Sequence, residues 1–113
     1  MKCVHRCGQM GDGSTGVRNG KAKMVTALRD KRIKRVMTGD RHIAVQCFDA
    51  SWYMWGFDDY NEITGLCDCL QCDDAKALCV LKPHRIHFKH GVSDHSVVDM
   101  HLGWCRSMVV VCK

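Results

Sequence analysis

The strongest constraint on the fold is a self-similarity within the chain. Ile33-Lys34-Arg35-Val36-Met37-Thr38-Gly39-Asp40-Arg41-His42-Ile43-Ala44-Val45 aligns without a gap to Val97-Val98-Asp99-Met100-His101-Leu102-Gly103-Trp104-Cys105-Arg106-Ser107-Met108-Val109, an offset of 64 residues. Apolar residues recur at 33 and 97, 36 and 100, 44 and 108, and 45 and 109, and the glycines at 39 and 103 coincide. Apolar, two spacers, apolar, two spacers, glycine and then a β-run describes a strand–turn–strand unit used twice. A repeat of this size points to propeller blades or another array of small β-units.

The stretches around the repeat agree with an all-β chain. Ile43-Ala44-Val45-Gln46-Cys47-Phe48 reads as a buried strand, Asp49-Ala50-Ser51 as a turn, and Trp52-Tyr53-Met54-Trp55 as a return strand ending at Gly56. Together they predict a β-hairpin with a three-residue connection. Met24 to Met37 is ambiguous. Met24, Ala27, Leu28 and Val36 could line a helix face, but Gly39-Asp40 stops any such helix. Glycines at 8, 11, 13 and 16 mark tight turns. They match neither phosphate-binding pattern, since no lysine follows until Lys21 and no apolar strand precedes them.

At 113 residues with 46% hydrophobic positions, the chain has the size and apolar content of a single globular domain. No apolar run approaches the roughly 20 residues of a membrane span, and Met1-Lys2-Cys3-Val4-His5-Arg6 has no secretory character. We therefore expect no membrane association and a reducing compartment, cytoplasmic or nuclear. There the nine cysteines, an odd number, would stay as thiols. Cys47 and Cys112 follow apolar runs and are expected to be buried as small hydrophobes.

The net charge is +5, and Arg29, Lys31, Arg32, Lys34 and Arg35 place five cations in seven residues. Such a run is a candidate partner-binding or phosphate-contacting patch, against the plainer reading of a solvated loop and strand start. No aromatic residue interleaves with it, so the run by itself offers no stacking platform. Cys67, Cys69, Cys72 and Cys79, with His84, are the one candidate for a metal, namely zinc. Their spacing is not that of paired Cys-x2-Cys knuckles, and a redox role for Cys69 and Cys72 lacks the flanking strand and helix. The expectation is thus no cofactor, with zinc as the alternative. His84, His87 and His90 would alternate faces on a strand and so would not converge. No nucleophile, base and orienting group can be assembled, so we expect no enzyme.

Four of these segments, in order, resemble the repeat of the regulator-of-chromosome-condensation family. Gly8-Gln9-Met10-Gly11-Asp12-Gly13-Ser14-Thr15 resembles its Gly-Gln-Leu-Gly-x-Gly signature, and Ile33-x-x-Val36-x-x-Gly39-x-x-His42-x-Ala44-Val45 its next stretch. Asp49-Ala50-Ser51-Trp52-Tyr53-Met54-Trp55-Gly56 is similar to the Asp-Gly-x-Val-Tyr-x-Trp-Gly hairpin. The likeness runs from residue 8 to about 60 and from about 83 to 111, with Gly103 in the place of Gly39. Ala50 stands where the family has a turn glycine, Arg106 where it has histidine, and Tyr60-Asn61-Glu62-Ile63-Thr64 is a degraded signature.

The resemblance implies a partial propeller of antiparallel strands, about two blades of a seven-bladed type with roughly fifty residues per blade. Residues 1–65 would form a first repeat region, 66–82 a Cys-rich insertion, and 83–113 a second, incomplete repeat. It implies a structural role for Gly8, Gln9, Gly11, Gly13, Gly39, His42, Trp55, Gly56 and Gly103, with His42 bonding neighbouring backbone. The chain would start and stop inside repeats, as a fragment or truncated member, with open blade edges prone to self-association.

In function, the resemblance implies a protein-binding module for a small GTPase or a chromatin component. The alternative is a part of a guanine-nucleotide exchange factor for a Ran-like GTPase. Gly103-Trp104-Cys105-Arg106-Ser107 also resembles a motif of the family's plant ultraviolet-B photoreceptors. The first repeat carries no tryptophan there, and Trp52 and Trp55 are expected in the core.

Overall fold

The computed structural model describes residues 3–4, 9–13, 17–18, 23–58, 63–67, 79–104 and 106–112. Gly8, Cys69 and Cys72 lie outside these. The described residues form eight strands: β1 (Cys3–Val4), β2 (Val17–Arg18), β3 (Ile33–Thr38), β4 (His42–Cys47), β5 (Trp52–Phe57), β6 (Cys79–Arg85), β7 (Val97–Leu102) and β8 (Ser107–Val111). Among the described residues there is no α-helix, only single 3-10 turns. None of them is a helix long and apolar enough to cross a membrane. The all-β expectation holds.

Strands β3-β4-β5-β6 form one antiparallel sheet, β7-β8 a second, and β1-β2 a small third. The ambiguous Met24–Met37 stretch splits into a 3-10 turn at Thr26–Leu28 and strand β3, leaving Met24 exposed. β4 and β5 are the inner strands of the large sheet and are buried on both faces, which suits their continuous apolar and aromatic sequence. Edge strand β3 alternates half-buried with exposed positions.

Between the hydrogen-bonded residues Cys47 and Ser51, which join β4 to β5, the loop is the three residues Phe48, Asp49 and Ala50. Ala50 N–H donates to the Cys47 carbonyl, Cys47 N–H to the Ser51 carbonyl, and Asp49 Oδ1 accepts from Ser51 N–H. Such loops need a left-handed residue at their third position, and Ala50 takes it with φ 74°. Strand β4 ends at Cys47, so Phe48, expected as the end of a buried strand, is instead 60% exposed at the loop. β6 begins at Cys79, so strand occupies the last positions of the expected insertion, and Pro83 sits at an irregularity of this edge strand, where its missing N–H breaks no regular ladder.

The repeat reappears in the pairing, residue for residue. β3 pairs with β4 as Ile33↔Cys47, Arg35↔Gln46, Val36↔Val45, Met37↔Ala44 and Thr38↔Ile43, with a bulge between Ile33 and Arg35. Adding 64 to every number yields the β7–β8 register, Val97↔Val111 to Leu102↔Ser107, with its bulge between Val97 and Asp99. Closing bonds repeat as well. Gly39 N–H to the His42 carbonyl (2.8 Å) matches Gly103 to Arg106 (2.9 Å), and Phe48 to Arg32 (2.9 Å) matches Cys112 to Ser96 (2.8 Å).

The two units stack through one core. Ala44, Trp52 and Met54 of the large sheet share a buried cluster with Ile63, Cys67, Ile86, Phe88, Val97 and Met100. A second cluster on the other face of the large sheet joins Val45 and Trp55 to Leu28. Trp52 and Trp55 are in the core as expected, whereas Trp104 is 65% exposed. Cys47 is buried, but Cys112 is exposed, contrary to expectation. It lies one residue past β8, and its counterpart 64 positions earlier, Phe48, likewise lies one residue past β4 and is exposed.

Candidate interaction surface

The basic run lies across the end of the large sheet where β3 begins, β4 ends and β5 starts. Its sequence holds no aromatic residue, yet pairing in register carries aromatics to it. The Arg32 guanidinium lies 5.2 Å from the centre of the Phe48 ring, and the Lys31 ammonium 5.7 Å from that of Tyr53. The Arg85 guanidinium, from β6, approaches the same Tyr53 ring at 6.0 Å. Each is within cation–π range. Lys31 is held above the usual lysine range chiefly by its hydrogen bond with Tyr53.

Two of the cations at this end are committed to carboxylates. Arg85 bonds Asp94 at 2.6 Å, which raises its pKa further. Arg35 bonds Asp99 at 2.8 Å and lies 6.0 Å from the Trp52 ring. The Asp99 carboxyl is held below the usual carboxylate range, first by the Met100 backbone N–H and also by Arg35. Arg29, Lys31, Arg32 and Lys34 make no ion pair with a described carboxylate. Asp49 at the hairpin tip is kept ionised mainly by its bonds to Ser51.

Phe48 stands as a ridge between two open grooves. One, of about 400 Å³, is lined by Lys34, Arg35, Gln46, Asp94 and His95 as well as Phe48. The other, of about 370 Å³, is lined by Asp30, Lys31, Arg32 and Asp49 with Phe48. An exposed aromatic ring flanked by arginines, with uncommitted cations around it, has the composition of interaction hot spots. Phe48, Tyr53 and Arg85 were not legible as members of this surface. The only local signal was Phe48 abutting the Asp-Ala-Ser turn.

The repeat-signature residues that are described serve the scaffold. The Gln9 carbonyl accepts the Trp55 indole N–H at 2.8 Å, Gly11 lies against the Trp55 ring, and Gly13 N–H bonds the Leu81 carbonyl at 3.0 Å. Gly56 has φ 110°, and a Cβ there would meet the Arg41 carbonyl at 2.6 Å. His42, 1% exposed, bonds Ser107 Oγ, a side chain of the other unit, through Nε2 at 2.9 Å. Burial pushes its pKa down, opposed by the Arg106 backbone and the Asp58 charge. Gly39 passes so close to the second unit that a Cβ would meet the Gly103 carbonyl at 2.8 Å.

Of the zinc candidates, Cys67 is buried. Its sulfur lies 3.8 Å from His84 Nε2 and 3.8 Å from the Arg85 carbonyl, and it accepts the His87 N–H at 3.5 Å. Cys79 is half-buried at the start of β6. Among the described residues no three His, Cys, Asp or Glu side chains gather where a metal ion could be held. His84 is half-buried, with its pKa pushed down by burial and then by His87, while His87 and His90 are exposed. No known family model matches the chain, and no curated protein matches it.

Proposed function

We propose that the chain is a protein-interaction module of two divergent chromosome-condensation-regulator-type repeats, each the core of a propeller-like blade, that docks an acidic protein surface at Phe48. The repeat reading is supported by the 64-residue offset, which recurs in register, bulge and closing bonds alike. The docking reading rests on one observation: Phe48, 60% exposed, stands against Arg32, a cation of the basic run that makes no ion pair with a described carboxylate. Arg29, Lys31, Arg32 and Lys34 select acidic surfaces and speed encounter with them.

A small GTPase or a chromatin component of the cytoplasm or nucleus presents surfaces of that kind. The test is biolayer interferometry of the chain against a Ran-like GTPase and against nucleosome core particles, at low and high salt. We expect salt-sensitive binding to one of them, weakened at least tenfold by Phe48→Ala with Arg32→Glu. Release of labelled GDP should stay at its spontaneous rate; acceleration would favour the exchange-factor reading. Absence of binding to both, or unchanged binding by the double variant, overturns the proposal.

A further inference from the structure

Gln46 is a buried polar side chain that the fold does not use. It is 8% exposed, yet among the described residues its amide has no hydrogen-bond partner. The other buried polar side chains are all committed: His42 to Ser107, Ser51 to Asp49, and Asp58 to the Ile63 N–H. Buried amides are ordinarily paired. The repeat shows that no amide is needed at this place. Gln46 stands opposite Arg35 across the bulge of the first unit, and its counterpart Val110 stands opposite Asp99 across the same bulge of the second. Lys34, the extra residue of the first bulge, has Val98 as its counterpart. The scaffold is thus served by two valines where the first unit carries a cation and an amide.

The Gln46 amide is not sealed off by protein, and it lines the groove of about 400 Å³ beside Phe48. A bulge re-aims side chains out of the regular ladder, and here it brings Lys34 and Arg35 to the same groove. Two of the cations around it are answered, Arg35 by Asp99 and Arg85 by Asp94. Lys34 makes no ion pair with a described carboxylate, so one positive charge is left beside one unpaired amide. A single carboxylate satisfies both, accepting from the Gln46 amide N–H and from the Lys34 ammonium. Phe48, Val97 and Val98 make another part of the wall apolar. We infer that this groove takes a glutamate or aspartate side chain of a partner protein, followed by an apolar residue against Phe48. The inference rests on the docking of an acidic protein surface at Phe48, and it assigns the residue that is read there.

The experiment is a 15N-correlation NMR titration of the labelled full chain with acetyl-glutamyl-leucine amide. The Gln46 side-chain NH2 signals should shift and saturate with a Kd on the order of a few mM. Acetyl-glutaminyl-leucine amide should bind at least tenfold more weakly. Gln46→Val and Lys34→Val install what the second unit carries at these places, so both should keep a dispersed spectrum. Each should weaken binding at least fivefold, read for Gln46→Val at the Lys34 and Arg35 backbone signals. Unmoved Gln46 signals, equal binding of the glutaminyl probe, or variants that bind like wild type overturn the inference. Tenfold tighter binding of acetyl-phosphoseryl-leucine amide overturns the carboxylate in favour of a phosphorylated residue. The probes contain neither GTPase nor nucleosome, so their failure is distinct from a loss of docking at Phe48, which Phe48→Ala with Arg32→Glu reads.

Discussion

Met100 tests the stacking of the two units. It is 2% exposed in the cluster shared with Ala44, Trp52 and Met54, whereas its repeat equivalent Val36 is 62% exposed. Met100→Ala removes three heavy atoms, worth about 2–2.5 kcal/mol at roughly 0.8 per buried methylene. A residual cavity of roughly 50 Å³ adds about 1 kcal/mol, for a total near 3–3.5. Val36→Ala leaves atoms already in water and should cost at most about 1 kcal/mol, mostly strand preference. Urea unfolding followed by tryptophan fluorescence at low protein concentration reads both, because Trp52 lies in the same cluster. Met100→Leu, which nearly conserves volume, should cost less than about 1.5 kcal/mol. If Met100→Ala costs no more than Val36→Ala, the second hairpin does not pack on the large sheet and the stacked arrangement is refuted.

Three further outcomes follow from single residues. Burial holds the His42 pKa below its unfolded value, so the unfolded chain takes up the proton more readily. Its contribution is therefore complete above about pH 6.5 and is lost as pH falls toward the folded value. Urea midpoints should drop as pH falls below about 6.5, with a slope that His42→Gln reduces. Ala50→Gly should stabilise by about 0.5–1 kcal/mol in thermal or urea melts, since the left-handed conformation costs alanine more than the added unfolded-state freedom. Gly56→Ala should instead abolish cooperative unfolding, because its Cβ would collide with backbone at Arg41 and His42.

The hairpins were legible because their signals are local. Apolar spacing at 33, 36, 44 and 45, a turn glycine and a three-residue loop specify a strand–turn–strand unit, and the copy at 97–109 doubled that signal. Burial was less legible, because it depends on what stands beside a strand. Val36 and Met100 occupy the same place in the pattern, yet one is bare and one buried, and no local rule separates them. Phe48 and Cys112 are counterparts in the repeat, and both are exposed because their strands stop one residue early. The candidate surface was half visible. The cations are contiguous in sequence, but Phe48, Tyr53 and Arg85 join them only through strand pairing.

The account stands on two copies of one unit, in one register, packed against each other. The most direct measurement is a three-dimensional NOESY of the isotopically labelled chain. We predict cross-strand contacts between Val36 and Val45 and, 64 positions on, between Met100 and Val109, together with contacts from the Met100 methyl to the Ala44, Trp52 and Met54 cluster. A β7–β8 register shifted from that of β3–β4, or a Met100 methyl without contacts to the large sheet, would contradict it.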